Sequence, residues 1–212
     1  MDTMCRKALC IVGFVACLGA CASPAGAEMR IGIKGGASFA SQNASGDLYP
    51  GIERSNRIGF AAGAICEFPL GSFLWLRAEP MYVQKGSEND WPAGYDYNDN
   101  TLKLDYLVLA VNLKAGMDYG AFNPFVFAGP YIGQPLSDIN VLKSDGSTQD
   151  ANMQSLDLGF DFGVGAGYRL NENMWMTIDA RYSLGLKDTD DYDGASFRNR
   201  GMLVLAGLSF GL

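Results

Sequence analysis

Along most of the chain, apolar and polar residues alternate with a period of two, the pattern of a strand whose successive side chains face opposite sides. The clearest stretch is residues 156–170. Leu156, Leu158, Phe160, Phe162, Val164, Ala166, Tyr168 and Leu170 share one face, and Asp157, Gly159, Asp161, Gly163, Gly165, Gly167 and Arg169 the other. Residues 174–186 repeat the design, with Met176, Ile178, Ala180 and Tyr182 set against Trp175, Thr177, Asp179 and Arg181. The last stretch places Met202, Val204, Ala206, Leu208, Phe210 and Leu212 on one side. Earlier, residues 29–41, 57–68 and 73–85 set Ile31, Ile33, Ile58, Phe60, Leu74 and Leu76 against Arg30, Lys34, Arg57, Glu67, Arg77 and Glu79. Two stretches alternate less cleanly. Residues 101–116 are apolar on both faces after Asp105, and residues 123–134 carry Pro124 and Pro130, which suit a strand end or a bulge.

These stretches predict eight strands, each long enough to cross a membrane when tilted, which takes about nine to eleven residues. Their connections alternate between short (69–72, 117–122, 171–173) and long (42–56, 86–100, 135–155, 187–199). Short turns on one side and long loops on the other are the connectivity of an outer-membrane barrel. The predicted architecture is therefore all-β: an eight-stranded antiparallel up-and-down transmembrane β-barrel. The opposite arrangement, a lipocalin-like periplasmic ligand binder, would turn the apolar face inward. It would also leave the Gly-rich charged face on the wide outside, where nothing demands small residues.

The polar face carries both signs of charge. Arg30, Lys34, Arg57, Glu67, Arg77, Glu79, Asp157, Asp161, Arg169, Asp179 and Arg181 are expected to form an ionic network in the lumen, with Lys103 and Asp105 on the same side. The aromatics are expected to form two outward belts. Phe68, Phe125, Tyr168 and Phe210 lie near the periplasmic rim, and Phe39, Phe60, Tyr82, Tyr106 and Tyr182 near the outer one.

The first residues set the compartment. Arg6 and Lys7 precede an apolar run from Ala8 to Ala20, and Ala25 and Ala27 form an A-x-A site. This predicts a signal peptide over residues 1–27 and a barrel domain over 28–212. Leu18-Gly19-Ala20-Cys21 offers a competing lipobox reading that would lipidate Cys21. Cleavage before Glu28 leaves 14 basic and 22 acidic residues, a net charge of −8, and Cys66 alone among the cysteines. No internal disulfide is then possible, and an acidic chain without a basic stripe argues against nucleic acid as a partner.

Certain residues also resemble a known family. Ile33-Lys34-Gly35-Gly36, Pro80-Met81-Tyr82-Val83-Gln84-Lys85-Gly86, Leu104-Asp105-Tyr106-Leu107 and Pro124-Phe125-Val126-Phe127-Ala128-Gly129-Pro130-Tyr131 are similar to the PorT-like outer-membrane β-barrel family. Val108 and Ala110 depart from it, where members often carry Glu and Pro. The resemblance implies an eight-stranded membrane barrel. It implies no activity, although some relatives serve protein secretion.

Candidate chemistry is sparse. The chain has no histidine, and the barrel acyltransferases, phospholipases and proteases resemble one another in using a His base. Asp157, Asp161 and Asp179 could be an acid/base cluster, but the basic residues sharing their face favour a salt-bridge lattice. Asp96, Asn98 and Asn100 supply alternate oxygens for a hard cation, without the Gly and distal Glu of a calcium loop. No metal or cofactor is therefore expected. Trp91, Tyr95, Asp96 and Tyr97 are the candidate loop-binding residues for an extracellular ligand. Phe210 and Leu212, closing the last strand, are candidate signals for the barrel assembly machinery. The expected function is a non-enzymatic barrel in contact with outer-membrane lipid, structural or loop-presenting. The alternatives are a narrow porin-like channel and a secretion-accessory barrel.

Overall fold

A computed structural model describes residues 29–45, 53–90, 100–142, 147–150, 156–187 and 196–212. The predicted signal segment and part of each long loop lie outside these residues. Eight long strands follow one another: β1 (Arg30–Ser45), β2 (Glu53–Pro69), β3 (Leu74–Asp90), β4 (Asn100–Gly116), β5 (Phe122–Leu142), β7 (Asp157–Asn171), β8 (Met174–Gly185) and β9 (Ser196–Gly211). A three-residue strand, β6 (Thr148–Asp150), pairs only with the end of β5. Each long strand pairs antiparallel with its chain neighbours, and β1 pairs with β9 from Arg30↔Gly211 to Ser45↔Ser196. The wall is therefore closed. Closure removes the unpaired strand edges that lipid cannot solvate.

Most of the apolar face points outward. Ile33, Ile58, Phe60, Val126, Phe162, Val164, Ile178 and Phe210 are all exposed, while Lys34, Glu67, Arg77, Glu79, Asp157, Asp161, Asp179 and Arg181 are buried in the lumen. A soluble lipocalin-like barrel would show the reverse. Among the described residues, no helix is long and apolar enough to cross a membrane; the strands do the crossing.

The strands run further toward the long loops than alternation predicts. β1 continues to Ser45, β2 begins at Glu53, β3 continues to Asp90, and β5 reaches Leu142. The extensions (Glu53-Arg54-Ser55-Asn56, Ser87-Glu88-Asn89-Asp90) are polar throughout and lose the period of two, although the inner face stays covered at Ser87 and Leu102. Their pairing persists, from Gln84↔Asp105 to Asn89↔Asn100.

Two expected orientations are corrected on β4 and β5. Tyr106 and Phe125 point into the lumen, 0% and 4% exposed, and do not belong to the outward belts. The inward face of β4 is Leu102, Leu104, Tyr106, Val108, Ala110, Asn112 and Lys114, so Lys103 and Asp105 face out. Pairing with β5 shifts between Asp105 and Tyr106, where Asp105 faces Ser137 and Tyr106 faces Pro135. Leu136 is the extra residue of this bulge. Phe68 is also buried rather than part of an exposed belt. Tyr168 and Phe210 at one rim and Phe60 at the other are exposed. Two outward ring pairs, Phe60 with Tyr82 at 5.3 Å and Phe162 with Tyr182 at 5.5 Å, mark the outer girdle.

The inner glycines of β7 have a packing role. A Cβ on Gly159, Gly163 or Gly165 would stand 2.5 Å from a ring carbon of Tyr131, Phe127 or Phe125 respectively. Each ring of β5 thus lies over a glycine of β7, and the narrow lumen accepts three aromatic rings because the neighbouring strand gives up three side chains. Gly165→Val is expected to cost about 1–3 kcal/mol, the usual overpacking penalty, seen as a lower urea midpoint in micelles. Adding Phe125→Ala should restore only part of it. The Ile178 carbonyl oxygen remains 2.6 Å from the new Cβ.

Candidate functional site: the charged lumen and the two rims

Alternation places one charged inward residue after another on β1, β2, β3, β7 and β8, and closure brings them to a common axis. Glu79 sits at the centre. It accepts hydrogen bonds from Lys34 Nζ at 2.7 Å, Arg181 Nη2 at 2.7 Å and Asn112 Nδ2 at 3.2 Å. Lys34 also donates to Asp179 at 2.6 Å, and Arg181 reaches Asp161 at 3.3 Å and Asp179 at 3.5 Å. Toward the periplasm, Glu67 accepts from Arg77 Nε and from Lys114 Nζ, both at 2.9 Å. Arg77 also lies 3.9 Å from Glu79 and 3.7 Å from Asp179, which links the two groups. Toward the outer mouth, Asp157 accepts from Lys85 at 2.9 Å, Tyr131 at 3.3 Å and Asn199 at 3.1 Å.

Rings complete the shell. The Arg77 guanidinium lies 4.7 Å from the Phe125 centroid and 5.1 Å from that of Phe127, and Lys114 lies 4.4 Å from Phe125. Lys85 stands between Tyr106 (5.2 Å) and Tyr131 (4.6 Å). Desolvated cation–π contacts of this kind contribute about 2 kcal/mol. Beside the charged column, Met81, Val83, Leu102, Leu104, Val108, Leu203 and Leu205 form a dry inner core.

Five cations (Lys34, Arg77, Lys85, Lys114, Arg181) thus meet five carboxylates (Glu67, Glu79, Asp157, Asp161, Asp179), all buried. Asp157, Asp161 and Asp179 each face a cation and not one another, which is the arrangement of a lattice rather than of an acid/base pair. Among the described residues no group of His, Cys, Asp and Glu is placed to hold a metal ion.

Of the residues expected in the network, Arg169 and Arg57 lie elsewhere, and Arg30 stands at its periplasmic end within electrostatic reach of Glu67 and Lys114. Arg169 is exposed beside the periplasmic turn, where its backbone N–H donates to Ala121. Arg57 is half-buried near the outer end of β2 and donates to the carbonyl of Lys85. Arg30 closes the periplasmic mouth, its guanidinium 4.4 Å from the Trp75 centroid and 4.0 Å from that of Trp175. Lys85, on the same face of β3 as Arg77 and Glu79, joins the network; Lys114, Asn112, Tyr131 and Asn199 also belong to it and were not expected there. The available signal was Asn112 and Lys114, two polar residues of even number in an apolar strand, which fix the inward face of β4. Trp91, Tyr95, Asp96 and Tyr97 lie outside the described residues. Phe210 and Leu212 lie on the outer face, 47% and 69% exposed.

A closed strand wall with an apolar exterior and an ion-paired interior defines an integral outer-membrane β-barrel, and this protein is one, resident in the bacterial outer membrane. The chain belongs to the outer membrane protein beta-barrel domain family, which matches residues 22–191. Among solved structures it is similar to the outer membrane protein OprG from Pseudomonas aeruginosa, at 13% identity over 88% of this chain and 96% of that one, with a TM-score of 0.59. It is also similar to the outer membrane protease OmpT from Escherichia coli, at 10% identity over 90% of this chain and 98% of that one, with a TM-score of 0.51. At such identities the likeness is one of fold. No curated protein matches the chain by sequence.

Removing one member of a buried ion pair leaves its partner uncompensated, at about 3–5 kcal/mol. Glu79→Ala, which removes one carboxylate from both Lys34 and Arg181 and leaves them Asp179 and Asp161, is expected to fall at the lower end of that range by urea unfolding followed through tryptophan fluorescence. Glu172→Ala, in an exposed turn, should change stability by no more than about 0.5 kcal/mol.

Proposed function

We propose that the protein is a non-enzymatic barrel that presents its external loops to partners and does not conduct solutes. The observation that supports this is the filling of the lumen. The space left near the outer mouth, between Ser38, Lys85, Tyr131 and Asn199, is about 10 Å³, room for about one water molecule. Conduction would require several salt bridges to separate at once. The wall also rises well past the girdle on one side. β3 runs eight residues beyond Tyr82 to Asp90, about 26 Å along the strand, and stays paired with β4 as it does so. Such a ribbon is a stiff support for the loop holding Trp91, Tyr95, Asp96 and Tyr97. Within the barrel family, the Pro80–Gly86 and Pro124–Tyr131 segments favour the PorT-like branch. Planar-bilayer recordings of the purified protein are expected to show no stable openings at either polarity. Steady single-channel steps would overturn the closed-lumen reading.

We further propose that Phe210 is read by the barrel assembly machinery. Its ring is exposed on the lipid face of the last strand, and that strand's backbone is already satisfied, down to Leu212 N–H donating to Met29 at 2.9 Å. The carboxylate of Phe210→Asp lies near the interface, where charge costs the folded barrel only about 0–1 kcal/mol. A marked fall in membrane-inserted protein, with normal refolding of the same variant in micelles, is the expected result. Normal insertion in cells would leave Phe210 as a girdle residue.

A further inference from the structure

The five cations of the lumen all have carboxylate partners; Arg200, on the outer wall, has none among the described residues. Arg200 lies on β9 between Asn199, 2% exposed, and the outward Met202, 46% exposed. Its own side chain is exposed on the lipid face. Among the described residues it makes no ion pair and no hydrogen bond. Register fixes its surroundings. Arg200 stands opposite Ser41 on β1 and Leu184 on β8, and Met202, two residues toward the membrane centre, stands opposite Phe39 and Tyr182. Tyr182 is half of a girdle ring pair, so Arg200 sits just outside the level where the acyl region gives way to headgroups.

The wall is indented there. Arg200, Ser41, Asn56, Phe39, Tyr182 and Met202 line a cleft of about 360 Å³. Below Met202 the rows become small. Val204 stands between Ala37 and Ala180, and Ala206 between Gly35 and Ile178. The flanks are larger, with Phe60 beside Ala37 on β2 and Val164 beside Ala180 on β7. A shallow apolar channel therefore descends from the cleft along the lipid face. At its head lie one guanidinium, the hydroxyls of Ser41 and Tyr182, and one side-chain amide.

From this we propose that the cleft binds a phosphate-bearing glycolipid of the outer leaflet. The Arg200 guanidinium takes the phosphate through paired N–H donors, Ser41 and Asn56 meet the sugar hydroxyls, and one acyl chain lies over Val204 and Ala206. The occupant follows from position and charge. This surface faces lipid in the membrane, the cation has no partner among the described residues, and a neutral lipid would leave it so at the edge of the apolar layer.

The test is lipid retention. Full-length protein is inserted into nanodiscs holding equal amounts of phosphorylated lipid A and its dephosphorylated form, extracted mildly, and analysed by native mass spectrometry. The wild type is expected to retain the phosphorylated form about tenfold over the other, the ratio that one charge-assisted contact supplies. Arg200→Gln should bring the two near parity, Arg200→Lys should keep part of the preference, and Arg169→Gln, at the periplasmic turn, should keep all of it. Heat-modifiability on gels confirms that each variant is folded. Equal retention of both lipids by the wild type, or an undiminished preference in folded Arg200→Gln, would overturn the proposal. So would displacement of the lipid by inorganic phosphate alone, because the acyl channel would then contribute nothing.

Discussion

Backbone hydrogen bonding in lipid is the constraint from which the other features descend. With no water to solvate a strand edge, the wall must close. Closing with eight strands fixes an interior only wide enough for side chains. The interior must then be filled at close packing, and the sequence meets that demand in two ways. β5 supplies Phe125, Phe127 and Tyr131, and β7 supplies Gly165, Gly163 and Gly159 beneath them. The glycines are complementary to rings one strand away, so the Gly-rich character of β7 is a consequence of β5 and not of local turns. Where the backbone does need glycine's freedom is Gly86, at φ 129°, where β3 loses register with β2 and a Cβ would strike the Leu102 carbonyl at 2.0 Å.

Filling such an interior with charge requires balance. A carboxylate withdrawn from water is tolerated only with its partners in place, and each of the five lumen carboxylates has at least one cation within 3.3 Å. The cations in turn rest on rings, which reduces the number of carboxylates needed around them. The result is a column of charge bonded across strands far apart in sequence. Lys34 joins β1 to β3 and β8, and Arg181 joins β8 to β3 and β7. Such cross-barrel bonds brace the wall against flattening and block the axis. A barrel so braced has its surfaces left for function, the loops above and the lipid face around.

How much of this the sequence reveals depends on what each face meets. β7 and β8 have lipid on one side and charge on the other, so their residues could be oriented by alternation alone, as could Glu67, Arg77 and Glu79 on β2 and β3. β4 fails the same test because its inner face crosses the dry core of Leu102, Leu104 and Tyr106 before reaching Asn112 and Lys114. With apolar residues on both faces, the charges of Lys103 and Asp105 suggest the wrong parity, since they stand outward at the headgroup level. β5 reverses parity at its Leu136 bulge, which no period-two pattern can carry through. The β2 and β3 extensions are illegible for the opposite reason, being polar on both faces even where the inner one is buried, as at Ser87. The tryptophan clamp on Arg30 brings together residues from β1, β3 and β8, and only closure makes them neighbours.

The distribution of charge then separates two kinds of contact. The five buried cations and five buried carboxylates cancel, so the chain's net charge of −7 resides outside the lumen. Much of it lies toward the long connections, with Glu88 and Asp90 at the end of β3, Asp96 and Asp99 in the connection after it, and Asp188, Asp190, Asp191 and Asp193 in the connection after β8. At physiological salt such charge is felt over about 8 Å, and it would repel phosphate groups at the membrane surface. Arg200, a cation on the lipid side of the rim with no partner among the described residues, would offset this repulsion where the wall meets the headgroups. β9 makes the division within two residues: Asn199 turns inward to hold Asp157 and Tyr106, and Arg200 turns outward to the lipid.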